Sequence, residues 1–332
     1  MITIIGSGAI GASLGSAIAE TGRDVEFIDT DAAHVAAINA GGLRVISDDR
    51  ERRITAHAFT PESYRGEIRT AILAVKAQHT ASAIEGLRDR LAPDALVLVA
   101  QNGLGAFEVA EMIGEERVLG ALVNIAADCT APGEVTFYGF GSMVVGSTGA
   151  RVEREGEMLE MLGNVGRIET TDDLRGLLWN KLAFGAVLSA TALDHTPQLD
   201  TILAHPRLVH GLLAEVFAVA DAAGIEVPDH DHLDPRAFAA GASPSAVSSA
   251  ISDWVDYQRP HQKPHSGIYR DLAVRKRKTE VSAHFADIVK TGSAHAVPLP
   301  LITRLSRMIA EAETGERELG PRNIAELEGL AR

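Results

Sequence analysis

Residues 2–21 constrain this chain more than any other stretch. Ile2-Thr3-Ile4-Ile5 reads as a strand, Gly6-Ser7-Gly8-Ala9-Ile10-Gly11 as a glycine-rich turn, and Ala12 to Thr21 as a helix. A Gly-x-Gly-x-x-Gly turn between strand and helix is the fingerprint of a dinucleotide-binding βαβ unit. Gly6 permits the tight turn, Gly8 lets backbone approach a pyrophosphate, and Gly11 lets the helix pack close to the strand. The start of the helix offers N–H groups and partial positive charge to phosphates. Residues 6–11 are therefore cofactor-binding candidates; the competing reading is a glycine-rich turn with no ligand. Asp24 to Ile28 reads as the second strand, ending at Asp29. An acid at that place suits the ribose hydroxyls of NAD and repels the extra phosphate of NADP. The expected cofactor is NAD rather than NADP.

Strand and helix signals alternate through the first half. Thr70 to Val75, Ala95 to Val99 and Val118 to Ile125 are apolar runs suited to strands buried on both faces of a parallel sheet. Helical segments fall between them, at Ala32 to Ala40 and Thr80 to Leu91. Residues 133–138 and 142–146 look like short strands around a glycine-rich turn, an edge hairpin. From Asp173 onward helical periodicity dominates: 174–193, 206–223, 244–255, 271–291 and 300–315. Gly224 reads as a helix C-cap, and Ser243 before Pro244 as an N-cap. The fold class expected is α/β, a Rossmann-type doubly wound sheet over 1–170 followed by an all-α domain over 171–332.

A length of 332 residues fits about two domains. The net charge of −14 argues against nucleic acid or an anionic membrane as a partner. Cys129 is the only cysteine, so no intrachain disulfide can form, which suits a reducing compartment. A strand beginning at residue 2 leaves no room for a signal peptide, and the most apolar stretch, 177–193, is too short for a bilayer. A cytoplasmic location is expected.

Four constellations could carry chemistry. Lys76 follows a buried strand, and ligands in open α/β sheets bind beyond the carboxyl ends of strands; the bland reading is a solvated lysine opening a helix. Asn102 sits in Gln101-Asn102-Gly103, either a turn pair or a contact to nicotinamide or substrate. Lys181 lies inside an apolar helix, where it either snorkels to water or is a desolvated ammonium suited to proton transfer. Glu280 closes the charge run 275–280 just before an apolar helix. His261 and His265, in the polar loop 260–266, are substrate-contact candidates; a third metal ligand is lacking, so no metal is expected.

Together, Gly6-Ser7-Gly8-Ala9-Ile10-Gly11, Val75-Lys76-Ala77, Gln101 to Gly105, Trp179-Asn180-Lys181-Leu182 and Lys278-Thr279-Glu280 resemble, in order, the motifs of ketopantoate reductases (2-dehydropantoate 2-reductases). The resemblance covers nearly the whole chain. It implies a Rossmann domain, a helical domain, an active site in the cleft between them, and a role in pantothenate biosynthesis. Helical domains rich in apolar faces often dimerise, so a homodimer is expected. The resemblance further implies that Lys181 is the general acid/base, that Glu280 holds the substrate hydroxyl and the lysine, and that Lys76 and Asn102 position cofactor and substrate. Ser266 lies near the family's substrate-contacting serine, although the stretch from Asp271 to Glu280 is one residue longer than usual. Gly185 and Ser189 stand where the family has asparagines, which alters the donors available to a substrate; Ser189 is retained as a candidate contact. Asp29 also departs from the family, which prefers NADP and carries a base about there. The expected function is hydride transfer between nicotinamide and a small branched 2-oxo or 2-hydroxy acid. The alternatives are an NAD-dependent dehydrogenase of another polyhydroxylated or sugar acid, with Lys181 as base, and a non-catalytic NAD(H)-sensing protein.

Overall fold

The computed structural model describes residues 1–332 apart from Asp48, Asp49, Asn164, Ala240, His261, Gln262, Arg332 and the side chain of Phe140. His261, a candidate contact from sequence, thus lies outside the described residues. The contacts divide the chain into two units, Met1–Leu174 and Arg175–Arg332.

The described residues of the first unit form one sheet. Its strands are β1 (Ile2–Ile5), β2 (Val25–Ile28), β3 (Leu43–Ile46), β4 (Glu51–Ile54), β5 (His57–Phe59), β6 (Ile68–Leu73), β7 (Leu91–Val99), β8 (Val118–Ala131), β9 (Glu134–Ser147) and β10 (Arg167–Thr171). The order is β4-β3-β9-β8-β7-β6-β1-β2-β5, with β10 paired to β9. The pairs from β8 across to β5 are all parallel. β1, flanked by β6 and β2, is buried along its whole length, as an apolar strand covered on both faces should be. Between strands run α1 (Ala9–Ala19), α2 (Ala32–Gly41), α3 (Thr80–Leu87), α4 (Gly105–Ile113) and α5 (Glu155–Met161). Asp31 caps α2, its Oδ1 accepting from the backbone N–H of Ala33 at 2.9 Å and of His34 at 3.1 Å. Ile4, Leu14, Ile18, Phe27, Ile72, Leu98 and Val145 meet in the core of this unit.

The edge hairpin expected over 133–146 takes a different form. Residues 134–147 are one strand, antiparallel to β8, and the chain reverses before Glu134 instead of at Gly139-Phe140-Gly141. Register shifts along the ladder absorb those glycines as irregularities within the strand. The β3–β4 pair was also not expected; the sequence of β4, Glu51-Arg52-Arg53-Ile54, is charged because it forms the sheet edge.

The second unit is helical: α6 (Leu174–Thr191), α7 (Gln198–Ala204), α8 (Pro206–Ala222), α9 (Pro244–Gln258), the single turn α10 (Gly267–Tyr269), α11 (Val281–Ala294), α12 (Pro300–Glu313) and α13 (Pro321–Glu328). Trp179, Leu212, Leu213, Val216, Trp254, Phe285, Ile302 and Leu305 are buried. Glu215 joins α8 to α12 by accepting from the N–H groups of Leu301 at 2.8 Å and Ile302 at 2.9 Å. Gly224 has φ +69° and Ile225 N–H donates to Ala220 O at 2.9 Å, the Schellman closure of α8. Ser243 Oγ caps α9 by accepting from Ala246 N–H at 3.2 Å. The continuous helix expected over 271–291 is interrupted. Residues Arg270–Arg275 form a π-helix, Lys276 takes a left-handed φ of 50°, and α11 starts only at Val281. A π turn holds one residue more than an α turn, so this segment does not continue the α-helical register into α11. Among the described residues no single helix is long and apolar enough to cross a membrane.

Candidate active site

In the first unit, the sheet gathers the predicted residues at one edge. Asn102 follows β7, Lys76 follows β6, residues 6–11 follow β1 and Asp29 follows β2, so all stand beyond the carboxyl ends of four adjacent parallel strands, where open α/β sheets bind ligands. Gly6 has φ +90°, and a Cβ there would lie 2.8 Å from Val75 N; a Cβ at Gly11 would lie 1.9 Å from Gly6 O. Both positions therefore require glycine. Around Gly8, by contrast, a Cβ would meet nothing within 4 Å, and no side chain caps α1. The N–H groups opening α1, from Ala9 and Ile10 on, thus face space with no capping side chain, a cradle that fits a pyrophosphate.

Asp29 holds this turn in shape. Its Oδ2 accepts from Ser7 N–H at 2.7 Å and from Ser7 Oγ at 2.9 Å, while its Oδ1 accepts from Asp31 N–H at 2.9 Å. Ser7 is fully buried. No basic residue occurs in 29–33 to receive a 2′-phosphate. Gln101 does for the next loop what Asp29 does for the first: it is buried, and its Nε2 donates to Val75 O at 2.6 Å and to Thr80 Oγ1 at 3.0 Å. The loop bearing Lys76 is thereby tied to the end of β7, while Asn102 itself is exposed. Sequence reasoning noticed Gln101 only as a neighbour of Asn102; its buried amide is the feature that matters.

In the second unit, α6 carries Lys181. From Gly176 to Thr191 every residue is buried except Lys181, Gly185 and Leu188, which are partly exposed and fall on one stripe. Nζ of Lys181 lies 5.5 Å from the Phe184 ring centroid, and that ring packs edge-on against Trp254 at 5.2 Å. Burial pulls the Lys181 ammonium below the ordinary lysine value, and the Asp231 carboxylate opposes the shift. Asp231 was not apparent from sequence. It lies in a turn where Asp231 and His232 both have positive φ, 51° and 64°, and its Oδ1 accepts from Tyr257 Oη at 3.0 Å. Asn180, next to the lysine, holds that turn from both sides, its buried Nδ2 donating to Pro228 O at 2.9 Å and Leu233 O at 2.8 Å.

Glu280 precedes the first turn of α11. Its position is set by Thr279, whose N–H and Oγ1 both donate to Glu313 Oε1, at 2.8 and 2.6 Å. One turn on, burial holds the His284 pKa below the ordinary histidine value against the opposing charge of Glu280. Ser266 is buried and caps α10, its Oγ accepting from Tyr269 N–H at 3.2 Å. His265 stacks on Tyr269 with centroids 4.1 Å apart, and Tyr269 Oη meets His195 Nδ1 at 3.0 Å. Ser189 is 1% exposed and its hydroxyl donates to Gly185 O at 2.7 Å. A cavity of about 560 Å³ in this unit, bordered by His195, Lys276, Arg277, Glu313 and Arg317, contains none of the predicted site residues.

Residues 2–150 match the family model described as ketopantoate reductase PanE/ApbA, and residues 173–313 match the model of its C-terminal part. The chain is 28% identical over 282 residues to a 2-dehydropantoate 2-reductase of Mesorhizobium japonicum, spanning 76% of this chain and 85% of that one. It is 24% identical over 319 residues to one of Streptococcus pyogenes, spanning 94% and 98%. The crystal structure of a PanE/ApbA family ketopantoate reductase from Ralstonia eutropha superposes with a TM-score of 0.78 at 26% identity, covering 95% of this chain and 99% of that one. A D-mandelate dehydrogenase solved with NADH and anilino(oxo)acetate shares the fold, with a TM-score of 0.81 at 20% identity over 95% and 99%. With both family models matched along the chain, this protein belongs to the ketopantoate reductase family and is an oxidoreductase.

Proposed function

We propose that the protein reduces a small branched 2-oxo acid with NADH in preference to NADPH, and that Lys181 protonates the carbonyl oxygen. The observation that carries this reading is the setting of Lys181. It is the only charged side chain between Gly176 and Thr191, it is partly exposed, and its pKa is lowered by burial. Reduction places negative charge on the carbonyl oxygen, so a cation at that atom is worth more in the transition state than in the ground state. A desolvated ammonium is also a stronger acid than a solvated one and gives up its proton nearer neutral pH. Bound NADH supplies the hydride. The Gly8 cradle holds the pyrophosphate, and Asp29 receives the ribose hydroxyls while excluding a 2′-phosphate by charge. Lys76 and Asn102 orient the nicotinamide end and the substrate carboxylate, and Glu280 holds the substrate and the lysine. Ser266 and His265, at the α10 turn, are further substrate contacts; Ser189, with its hydroxyl engaged inside α6, stays outside the substrate set.

Steady-state reduction of a panel of 2-oxo acids, followed at the NADH absorbance band, tests this. Lys181→Ala should lower kcat by roughly 10²–10⁴-fold, the usual worth of a positioned general acid, while fluorescence titration shows NADH binding retained. Near-parental turnover in Lys181→Ala would overturn the assignment.

A further inference from the structure

The accessible stripe of α6 bears one cation and then nothing that can hydrogen-bond through its side chain. One turn beyond Lys181 stands Gly185, where a Cβ would meet no atom within 4 Å. Leu188 follows on the same stripe. The Phe184 ring flanks the lysine ammonium and is backed by Trp254. The α6 hydroxyls next to the stripe are turned back onto the helix, Ser189 Oγ donating to Gly185 O at 2.7 Å and Thr191 Oγ1 to Leu188 O at 2.9 Å. A group bonded to Lys181 would therefore find open volume beside Gly185 with apolar walls. No side-chain donor or acceptor from α6 faces that volume.

We propose that this stripe, Gly185 and Leu188 with the Phe184 ring, receives the side chain of the 2-oxo acid and selects a bulky apolar one over a hydroxylated one. The proposal rests on Lys181 being the residue at the substrate carbonyl. A hydroxyl placed in this volume loses its water and gains no partner from α6, whereas methyl or aryl groups lose nothing and bury apolar area. Each methylene that fits such a pocket is worth about 10–200-fold in kcat/KM. Gly185 is the determinant, because the space it leaves is the space a larger residue would fill.

The test compares acids of similar size. With the native enzyme, kcat/KM for 3,3-dimethyl-2-oxobutanoate should exceed that for ketopantoate, its 4-hydroxylated counterpart, by at least about tenfold. Gly185→Ala should lower kcat/KM most for the largest apolar acid and least for pyruvate. Gly185→Asn should invert the order, favouring the hydroxylated acid. Calorimetry with the enzyme–NADH complex supplies a reading independent of turnover: N-isobutyl oxamate should bind more tightly than its hydroxylated isostere, N-(2-hydroxypropyl) oxamate. Equal or reversed preference in native enzyme, in turnover or in binding, overturns the proposal while leaving the role of Lys181 intact. Failure of every 2-oxo acid to react and of both oxamates to bind would instead remove the reductase reading, and this proposal with it.

Discussion

Asn180 offers a sharp test of how the helical unit builds the surroundings of Lys181. The perturbation is Asn180→Ala. The side chain is 2% exposed, and its two amide protons serve Pro228 O at 2.9 Å and Leu233 O at 2.8 Å. Each buried carbonyl left without a donor costs about 1–3 kcal/mol. Partial access of water to the freed turn brings the sum to about 2–4 kcal/mol. Both tryptophans, Trp179 and Trp254, are buried in this unit, so tryptophan fluorescence during urea unfolding reports on it selectively. With a slope of about 2 kcal/mol/M, the midpoint should fall by about 1–2 M. Asn180→Asp keeps the shape but cannot donate, and should destabilise at least as much; this separates lost hydrogen bonds from a cavity. A loss below about 0.5 kcal/mol for Asn180→Ala, the scale of an indifferent surface change, would refute the reasoning.

Two further outcomes follow from the site. Asp29→Ala removes the acceptor for Ser7 N–H and Oγ, and bonds to a charged group are worth about 1.5–3 kcal/mol each; NADH affinity should drop at least about tenfold and the preference over NADPH should shrink. An unchanged NADH/NADPH ratio would remove Asp29 as the selector. Asp231→Asn removes the charge that raises the Lys181 pKa while burial lowers it. Reduction needs the protonated lysine, so kcat/KM falls as pH rises through that pKa, and in the variant this fall should move to lower pH; a shift to higher pH, or none, contradicts the pairing.

The elements most legible in the sequence were those whose pattern and burial agree. β1, β2, β6 and β7 were legible because each contains a run of buried apolar residues, although β7 begins at Leu91, ahead of the expected Ala95; the caps at Asp31 and Ser243 act locally. β4 was missed because its charges reflect an edge position that only the sheet defines. The glycines at 139 and 141 looked like a turn, yet pairing with β8 carries the strand through them. At the candidate site, Lys181 stood out as a charge inside an apolar helix. Asp231 did not, because fifty residues separate it from the lysine, and its turn is held by the distant side chains of Asn180 and Tyr257. The π-helix at 270–275 was not legible, because its residues carry the same helical periodicity as an α-helix.

β9 has a consequence for the nascent chain. Its first three residues, Glu134–Thr136, pair with β3, already synthesised, whereas Ser142–Gly146 pairs with β10, residues 167–171. Until those residues leave the ribosome, that stretch of β9 is an uncovered sheet edge open to pairing with another chain. A product ending near residue 150 would hold nine of the described strands and still be prone to aggregate, so β10 acts as the seal that makes the Rossmann unit safe to release.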